Sequence, residues 1–451
     1  MDLEVFELQK KNKRRLSPVQ ILALGFAIVI FIGASLLTLP ISSRDGSITS
    51  FIDCIFTSTS AVCVTGLTTL NTAEHWSYFG KTIIVILIQI GGLGFMSFAT
   101  LFALLLGKRI TLKERLIMQE AMNSFSLQGL VKLAKYVLIF TFSVEGVGAL
   151  FLATKFIPQY GALKGIYFSI FHSISAFCNA GFDLTGNSLV PYANNLVVIL
   201  AISALIIIGG LGFSVWSEIY NYKGVKKLSV HARLVIFMSI LLILGGWILM
   251  FLLEMNNPAT IKNLPIKGKI LSSFFAAVTP RTAGFNSIST SDMTAGGKAL
   301  TIILMFIGGS PGSTAGGIKT ATLGLLLMTA VSVIRGREDT EMFERTISKE
   351  LVYRAFVITI IAAGVVIVTT ILLSITEPGA SLEYILYEAT SAFATVGLTL
   401  GLTTKLSIIG KIIVALTMYI GRVGPLTLVL ALASKKNGSS IKYPEGKILV
   451  G

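Results

Sequence analysis

The feature of this chain that most restricts its fold is a segment that occurs four times. "TSTSAVCVTGL" at 57–67 has counterparts in "HSISAFCNAGF", "FAAVTPRTAGF" and "ATSAFATVGL", and the copies carry Gly66, Gly181, Gly284 and Gly397. A second glycine-rich mark follows each of these glycines by 24 to 28 residues: "GGLGF" at 91–95 and 209–213, "GGSPG" at 308–312 and "GRVGP" at 421–425. Four such pairs predict an internal repeat of four units.

The composition places these repeats in a membrane. Apolar residues make up 53% of the 451 residues, charged residues only 13%, and the mean hydropathy is +0.81. A hydrophobic run of roughly 20 residues crosses a bilayer. The candidate spans are Val19–Leu39, Thr82–Leu106, Leu133–Phe156, Asn195–Val215, Leu234–Leu253, Ala299–Ile307 followed by Thr320–Ile334, Ala355–Ile375 and Ile408–Leu432. "KKNKRR" follows an acidic start without a cleavage pattern, so we expect the first span to be permanent.

Each unit also contains a shorter apolar run before its glycine. Gly165–Phe177 and Leu382–Phe393 have about a dozen residues, too few to cross a bilayer. Such runs must enter the membrane and return to the same side. Non-helical backbone at this depth must be buried in protein or line a water-filled cavity. The predicted fold is therefore an all-α integral membrane protein. It has four pseudo-symmetric helix–pore loop–helix units, with eight spans in all, around a central ion pore.

The unit boundaries and the orientation follow from the connections. We expect pore units at 17–107, 130–220, 231–335 with a broken second span, and 351–434, flanked by cytoplasmic segments at 1–16 and 435–451. Alternate connections hold 24 of the 37 Lys and Arg residues, so by the positive-inside rule they and both termini are cytoplasmic. No aromatic-interleaved basic stripe accompanies the +15 charge, which argues against nucleic acid.

The repeated glycines suggest a chemistry for the pore. A cation entering hydrocarbon loses hydration worth tens of kcal/mol, and backbone carbonyls facing one axis can replace it. Glycine allows the positive φ that turns a carbonyl inward. A packing or turn role for any single glycine remains the alternative. The candidate filter residues are Val64, Thr65, Gly66, Asn179, Ala180, Gly181, Thr282, Ala283, Gly284, Thr395, Val396 and Gly397.

The sequence between Ile307 and Thr320, "IGGSPGSTAGGIKT", interrupts the second span of the third unit. Five glycines and a proline make a continuous helix improbable. A phosphate-binding loop is disfavoured because Ile318 separates Gly317 from Lys319. We expect an intramembrane gate formed by Gly308, Gly309, Ser310, Pro311, Gly312, Ser313, Thr314, Ala315, Gly316 and Gly317.

Four polar residues near these segments need an interpretation. Arg422 is expected to bind carbonyls of the 308–317 loop, with a bond between spans as the alternative. Arg281 either repels ions or points behind its loop to bond carbonyls, and we favour the second. Asn179 either offers a side-chain carbonyl or braces its loop. Glu145 either pairs with Lys or Arg or binds a coupling ion, and a structural role is favoured.

The glycine quartet, the four units and "GGSPGSTAGGIKT" resemble the Trk/Ktr/HKT superfamily of K⁺ transporters, and within it the membrane subunit of bacterial Ktr systems. The resemblance covers residues 16–451. It implies a homodimer in the plasma membrane with a pore in each protomer. It also implies a cytosolic ring of RCK-type regulatory subunits that bind the nucleotide, ATP or ADP. Glycine at position 66 implies a preference for K⁺, and the 308–317 loop acts as a gate in related proteins.

The predicted function is potassium uptake through a gated pore. The alternative is a Na⁺- or H⁺-coupled secondary transporter, which usually has broken helices in repeated positions and intramembrane carboxylates. An enzyme is disfavoured because the spans hold no cluster of acid, base or nucleophile. Neither a covalent cofactor nor a metal other than the transported K⁺ is expected. The three cysteines have no metal-ligand spacing.

Overall fold

The computed structural model describes residues 17–94, 130–222 and 228–424. Within these ranges there are fifteen α-helices and one antiparallel pair of strands. The predicted terminal segments, the distal parts of the spans at 95–107 and 425–434, and most of the basic connections at 108–129 and 223–227 lie outside the described residues. The helices are α1 Pro18–Leu37, α2 Phe51–Val62, α3 Thr72–His75, α4 Tyr78–Leu93, α5 Leu130–Tyr160, α6 Ala162–Phe177, α7 Leu196–Gly210, α8 Phe213–Tyr220, α9 Val230–Glu254, α10 Ile266–Val278, α11 Ala295–Phe306, α12 Thr320–Ile334, α13 Lys349–Thr376, α14 Leu382–Ala394 and α15 Ile408–Val423, and the strands are β1 Thr340–Met342 and β2 Arg345–Ile347.

Four helices are long and apolar enough to cross a membrane: α1, α5, α9 and α13. Their outer faces carry exposed apolar side chains, such as Leu150 and Ile360 with about 70% of their surface free. Such faces suit contact with lipid, which is as apolar as the side chains. These helices coincide with four of the predicted spans, Val19–Leu39, Leu133–Phe156, Leu234–Leu253 and Ala355–Ile375.

A short helix follows each of these long helices and packs against it. The short helices are α2, α6, α10 and α14, with 12 to 16 residues each, and more than half of their residues are buried. In the first two units a serine hydroxyl fixes this packing. Ser58 donates to the carbonyl of Ile30 at 2.7 Å, and Ser173 donates to the carbonyl of Glu145 at 2.6 Å. A hydroxyl that bonds a helix carbonyl is satisfied without water, as an apolar surrounding requires.

The second helix of each unit begins with the same kind of cap. A side-chain oxygen accepts a hydrogen bond from the backbone three residues later at Ser77, Asn195, Thr294 and Ser407. In units three and four a carboxylate from the preceding long helix or its end supports the cap. Glu254 accepts from the Thr294 hydroxyl at 2.7 Å, and Glu377 accepts from the Ser407 hydroxyl at 2.6 Å. The cap and its carboxylate set where each second helix starts.

The second helices all end at the second glycine mark. α4 ends at Leu93, α7 at Gly210, α11 at Phe306 and α15 at Val423. Positive φ follows at Gly94, Gly212 and Gly424, and the chain bends by 96° between α7 and α8. The sequence prediction that only the third unit has a broken second span is therefore wrong. Periodicity failed here because one glycine in an apolar run does not by itself exclude a helix.

A hairpin of β1 and β2 joins the third unit to the fourth. Thr340 pairs with Ile347, and Met342 pairs with Arg345. The buried Met342 packs against Leu234 of α9, so the hairpin lies against the end of the third unit. This hairpin lies in the connection between the predicted units at 231–335 and 351–434.

Candidate functional site

The four repeated glycine segments share one backbone conformation. In each segment the glycine and the residue two positions before it have positive φ. The angles are 58° and 95° at Val64 and Gly66, 60° and 70° at Asn179 and Gly181, 71° and 77° at Thr282 and Gly284, and 51° and 88° at Thr395 and Gly397. Positive φ is uncommon outside glycine and is a genuine outlier for a β-branched residue. Its recurrence at four equivalent positions indicates a functional constraint on the backbone.

The four segments meet in a ring. A methyl group built at Gly66 would lie 2.5 Å from the carbonyl oxygen of Ala180 in the second unit. One built at Gly181 would lie 2.8 Å from the Cα of Gly284 in the third unit, and one at Gly284 would lie 2.6 Å from the carbonyl oxygen of Val396 in the fourth. A methyl group at Gly397 would overlap the carbonyl oxygen of Thr65, which closes the circle. The predicted filter residues are therefore brought together, and glycine is needed at each contact for space as well as for φ.

Hydroxyl groups of the short helices hold this backbone in place. Ser60 accepts from the amide of Gly66 at 3.0 Å, and Ser391 accepts from the amide of Gly397 at 3.1 Å. Ser175 donates to the carbonyl of Phe182 at 2.8 Å, and Thr279 donates to the carbonyl of Phe285. The sequence contained this signal as the repeated Ser-Ala pair, but its bracing role was not recognised.

The short helices point their carboxyl ends at the ring. α2, α6, α10 and α14 end at Val62, Phe177, Val278 and Ala394, at most six residues before a ring glycine. A helix C-terminus carries roughly half a negative charge from its unpaired carbonyl groups. Four such ends make the ring favourable for a cation and unfavourable for an anion.

The second glycine marks pack directly on these helix ends. A methyl group at Gly91 would overlap the carbonyl oxygen of Val62, one at Gly209 that of Phe177, and one at Gly421 that of Phe393. In units one, two and four a glycine of the second mark therefore lets the second helix touch the last or next-to-last carbonyl of a short helix. This contact explains why two glycine marks recur at nearly constant separation.

In the third unit the second mark is part of the loop at 307–319. Its two ends are paired in parallel, since Ile307 bridges Ile318 and the amide of Gly308 donates to the Ile318 carbonyl at 2.9 Å. The amide of Ser310 donates to the carbonyl of Gly210 at 2.9 Å. A methyl group at Gly316 would overlap the hydroxyl of Thr395, so the loop lies directly against the fourth glycine segment.

Arg422 connects this loop to the first unit. Its guanidinium donates to the carbonyl of Thr314 in the loop and, at 2.5 Å, to the carbonyl of Gly91. The expected contact between Arg422 and the loop is therefore present. Lys319, which the sequence analysis placed just outside the gate, also binds the loop and donates to the Ala315 carbonyl at 2.6 Å.

Three other polar residues flagged in the sequence are buried around the ring. Arg281 donates to the carbonyl and hydroxyl of Ser239 on α9 at 3.3 and 3.2 Å, which agrees with the favoured orientation behind its loop. The Asn179 side chain lies 3.5 Å from the Thr282 hydroxyl. Glu145 accepts a contact of 3.8 Å from the Cys178 thiol and has no Lys or Arg partner among the described residues. Within 17–94, 130–222 and 228–424 no group of three His, Cys, Asp or Glu residues is placed to hold a metal ion.

The fold and this ring define a helical membrane protein of the cation-transporter class. Residues 6–443 match the family model TrkH, described as cation transport protein. Because this match covers nearly the whole chain, the protein belongs to the TrkH cation transport family.

Curated relatives align over almost the full length. The chain is 47% identical to the potassium/sodium uptake protein NtpJ of Enterococcus hirae, with 98% of this chain and 99% of the relative covered. It is 43% identical to Ktr system potassium uptake protein B of Bacillus subtilis, with 97% of each chain covered. The Vibrio alginolyticus protein of the same name is 37% identical, with 98% of this chain and 97% of the relative covered.

A solved structure supports the fold. The crystal structure of the potassium transporter TrkH from Vibrio parahaemolyticus superposes with a TM-score of 0.72 and covers 94% of this chain and 86% of that chain. At 20% identity this similarity speaks for the fold alone.

Proposed function

We propose that this chain takes up potassium through a path lined by the backbone of the four glycine segments. The ring formed by Gly66, Gly181, Gly284 and Gly397 is the observation that carries this proposal. The names of the relatives, which are potassium uptake proteins, favour the same ion. In this proposal eight spans form four pseudo-symmetric pore units, and K⁺ binds the carbonyls of residues 64–66, 179–181, 282–284 and 395–397.

The chemistry of the ring fits a dehydrated monovalent cation. Backbone carbonyls replace the hydration shell, and the four helix C-termini add negative potential without placing a full charge in the path. A carboxylate in the ring would bind a cation too tightly for rapid release. The polar side chains around the ring instead brace its backbone.

We propose further that the 307–319 loop closes this path and that Arg422 holds it closed. The loop contacts the fourth glycine segment at Gly316 and Thr395, and it is tied by Ser310 to the end of α7. Its glycines leave little side-chain packing to resist movement. Breaking the Arg422 contact with Thr314 would free the middle of the loop.

The cellular setting is part of the proposal. We place the chain in the plasma membrane as a multi-pass homodimer with both termini in the cytoplasm. A cytosolic RCK-type ring would bind ATP or ADP and act on the gate. The names of two relatives, protein B of a Ktr system, fit a membrane subunit that works with other components.

A coupled transporter is the second candidate, and three findings favour it. The second helices stop at corresponding marks, and in the second unit the chain bends by 96° between α7 and α8, as in coupled transporters with broken helices. Glu145 is moreover a buried carboxylate without a basic partner in the described ranges. One relative is named potassium/sodium uptake protein, which makes Na⁺ a candidate for the coupled or transported ion.

Uptake by the purified full chain in proteoliposomes tests the proposal. We expect Rb⁺ to accumulate, with K⁺ competing strongly and Na⁺ weakly. Liposomes without protein and liposomes with heat-denatured protein serve as controls. Equal competition by K⁺ and Na⁺ would contradict the K⁺ preference, and the absence of Rb⁺ uptake would contradict the transport function.

A further inference from the structure

The chain that follows each ring glycine is anchored to its own short helix in three of the units. We call the stretches 67–71, 182–188, 285–291 and 398–403 the post-glycine segments. In unit one Asp53 accepts from the Thr69 hydroxyl at 2.7 Å. In unit two the ring of His172 accepts from the amide of Leu184 at 3.3 Å. In unit four Glu388 accepts from the hydroxyls of Thr399 and Thr403. The anchor is therefore a titratable side chain in each of these three units.

Unit three lacks such an anchor. Its short helix has Phe275 at the position that gives His172 and Glu388 in units two and four, whereas unit one takes its anchor, Asp53, from thirteen residues before Gly66. The residue nine positions before the ring glycine is Thr57, His172, Phe275 or Glu388 in the four units. Phe275 has no polar side-chain atom. Within its own unit this post-glycine segment is held only at its start, by the Thr279 hydroxyl on the Phe285 carbonyl, and neighbouring units hold the rest. The amide of Asn286 donates to the Ser188 hydroxyl at 2.9 Å, and the Thr290 hydroxyl donates to the Thr399 carbonyl at 2.6 Å.

Glu388 therefore lies at the start of a chain of hydrogen bonds that reaches two units. Its side chain is fully buried, and its two oxygens accept from Thr399 at 2.7 Å and Thr403 at 2.5 Å. Among the described residues no Lys or Arg pairs with it. A carboxyl group buried without a cation is costly unless its oxygens are satisfied, so both threonines are needed. Thr399 then presents its carbonyl to Thr290 of the third unit.

We propose that Glu388 is a positioning residue for ion binding, acting through Thr399 and Thr290. By fixing Thr399 it fixes the chain two residues beyond Gly397, and through Thr290 it fixes the distal part of the segment beyond Gly284, which Thr279 and Ser188 hold only at Phe285 and Asn286. Carbonyl positions in the ring depend on where these segments leave it. The proposal rests on the proposed function, since it assigns Glu388 a part in the affinity of that ring for K⁺.

Two variants of the full chain in proteoliposomes test it by the KM and maximal rate of Rb⁺ uptake. Glu388→Gln keeps the shape of the side chain but replaces one of its two acceptor oxygens by an NH₂ group. We expect the KM to rise about tenfold, as for loss of a bond to a charged group. Thr290→Val keeps the carboxylate and removes only the link to unit three, and we expect a rise of about threefold. Maximal rates per folded protein should stay within about twofold of the unmodified chain, the range in which a variant is read as a change in binding.

The double variant tests whether the residues act as one chain. Because the two links lie in series, Glu388→Gln with Thr290→Val should raise the KM about tenfold, no more than the first change alone. Glu254→Gln is the matched control, because Glu254 is equally buried and accepts from Thr294 and Thr260 at 2.7 Å but caps α11 away from the ring. It should leave the KM unchanged.

Three results would overturn the proposal: an unchanged KM in Thr290→Val, an additive double variant, or an equal rise in KM with Glu254→Gln. Thr290→Val decides the question if Glu388→Gln does not fold, since it removes one hydroxyl and keeps every charge. Failure of the proposed function is read separately, from Gly66→Ser. If Gly66→Ser alters ion selectivity while the KM of Thr290→Val is unchanged, the ring is supported as the ion-binding site and the positioning role of Glu388 is rejected.

Discussion

Gly421 and Gly364 both lie in apolar helices, yet a methyl group would meet different surroundings at each. At Gly421 it would overlap the Phe393 carbonyl, whereas at Gly364 nothing lies within 4 Å. The sequence does not separate the two cases, because both are single glycines among apolar residues. The glycine contacts at the ring and at the helix ends depend on which backbone comes close, and that is decided by tertiary packing.

We expect these two glycines to respond to alanine in opposite directions. Gly421→Ala forces the fourth unit apart at Phe393 and should lower the free energy of unfolding by about 1–3 kcal/mol, the usual cost of overpacking. Gly364→Ala should raise it by about 0.5–1 kcal/mol, since alanine is the better helix former. Thermal unfolding of both variants in detergent measures the difference. Equal melting temperatures would contradict the contact.

Gly66→Ser should weaken the discrimination of K⁺ against Na⁺. The new side chain would start 2.5 Å from the Ala180 carbonyl and at a φ of 95°, so the ring must widen or shift. We expect the ratio of the inhibition constants of Na⁺ and K⁺ for Rb⁺ uptake to fall about tenfold, the effect of a change of about 1.4 kcal/mol. Gly46→Ser serves as a control, because Gly46 also has positive φ and nothing lies within 4 Å of its Cβ position. An unaltered ratio in Gly66→Ser would count against the ring as the filter.

At the scale of elements, the second helices differ most from the sequence prediction. Apolar periodicity located α4, α7 and α15 correctly but missed where they stop, since each stops one or two residues after a glycine that contacts another helix end. The loop at 307–319 was found because five glycines and a proline are clustered there. Clustered helix breakers can be recognised in a sequence, whereas a break caused by one close contact needs the structure.

Shortening the loop from Gly312 to Gly317 should raise ion flux. The deletion removes the Thr314 carbonyl that Arg422 binds and the glycine that contacts Thr395. Arg422→Ala removes the same contact from the other side and should raise flux in the same direction. We expect an increase of about tenfold for each if the contact contributes about 1.4 kcal/mol to closure. Initial rates of Rb⁺ uptake per folded protein provide the measurement.

The surface variant Arg354→Ala is the control for this pair. Arg354 forms an exposed ion pair with Glu350 on α13 at 3.0 Å, and exposed pairs contribute little. Its flux should equal that of the unmodified chain. Unchanged flux in both the shortened loop and Arg422→Ala would exclude the loop as a gate.

At the scale of the whole molecule, the fourfold repeat predicts four units, and the structure supplies the order in which their glycine segments contact one another. The ring contacts run from unit one to two, two to three, three to four and four back to one. Repeat spacing alone cannot provide this order, because it says nothing of which units are neighbours. The carboxylates at Glu254 and Glu377 were also missed, since no motif marks a carboxylate that caps a distant helix.

A pore and a coupled transporter differ in their response to gradients. For a pore we expect Rb⁺ uptake driven by membrane potential to be unchanged when a Na⁺ or pH gradient is added at constant potential. Glu145→Gln should then leave this behaviour unaltered. A several-fold stimulation by either gradient, lost in Glu145→Gln, would favour the coupled transporter. Parallel measurements at a clamped potential separate the two cases.

The closed ring of four unequal segments has a consequence for inheritance. In an assembly of four identical subunits a single codon change alters all four walls of the path at once. In the proposed function the walls of the path are Thr65-Gly66, Ala180-Gly181, Ala283-Gly284 and Val396-Gly397, each encoded separately. A mutation therefore alters one wall in four, and ion preference can drift in small heritable steps while the other three walls keep the path working.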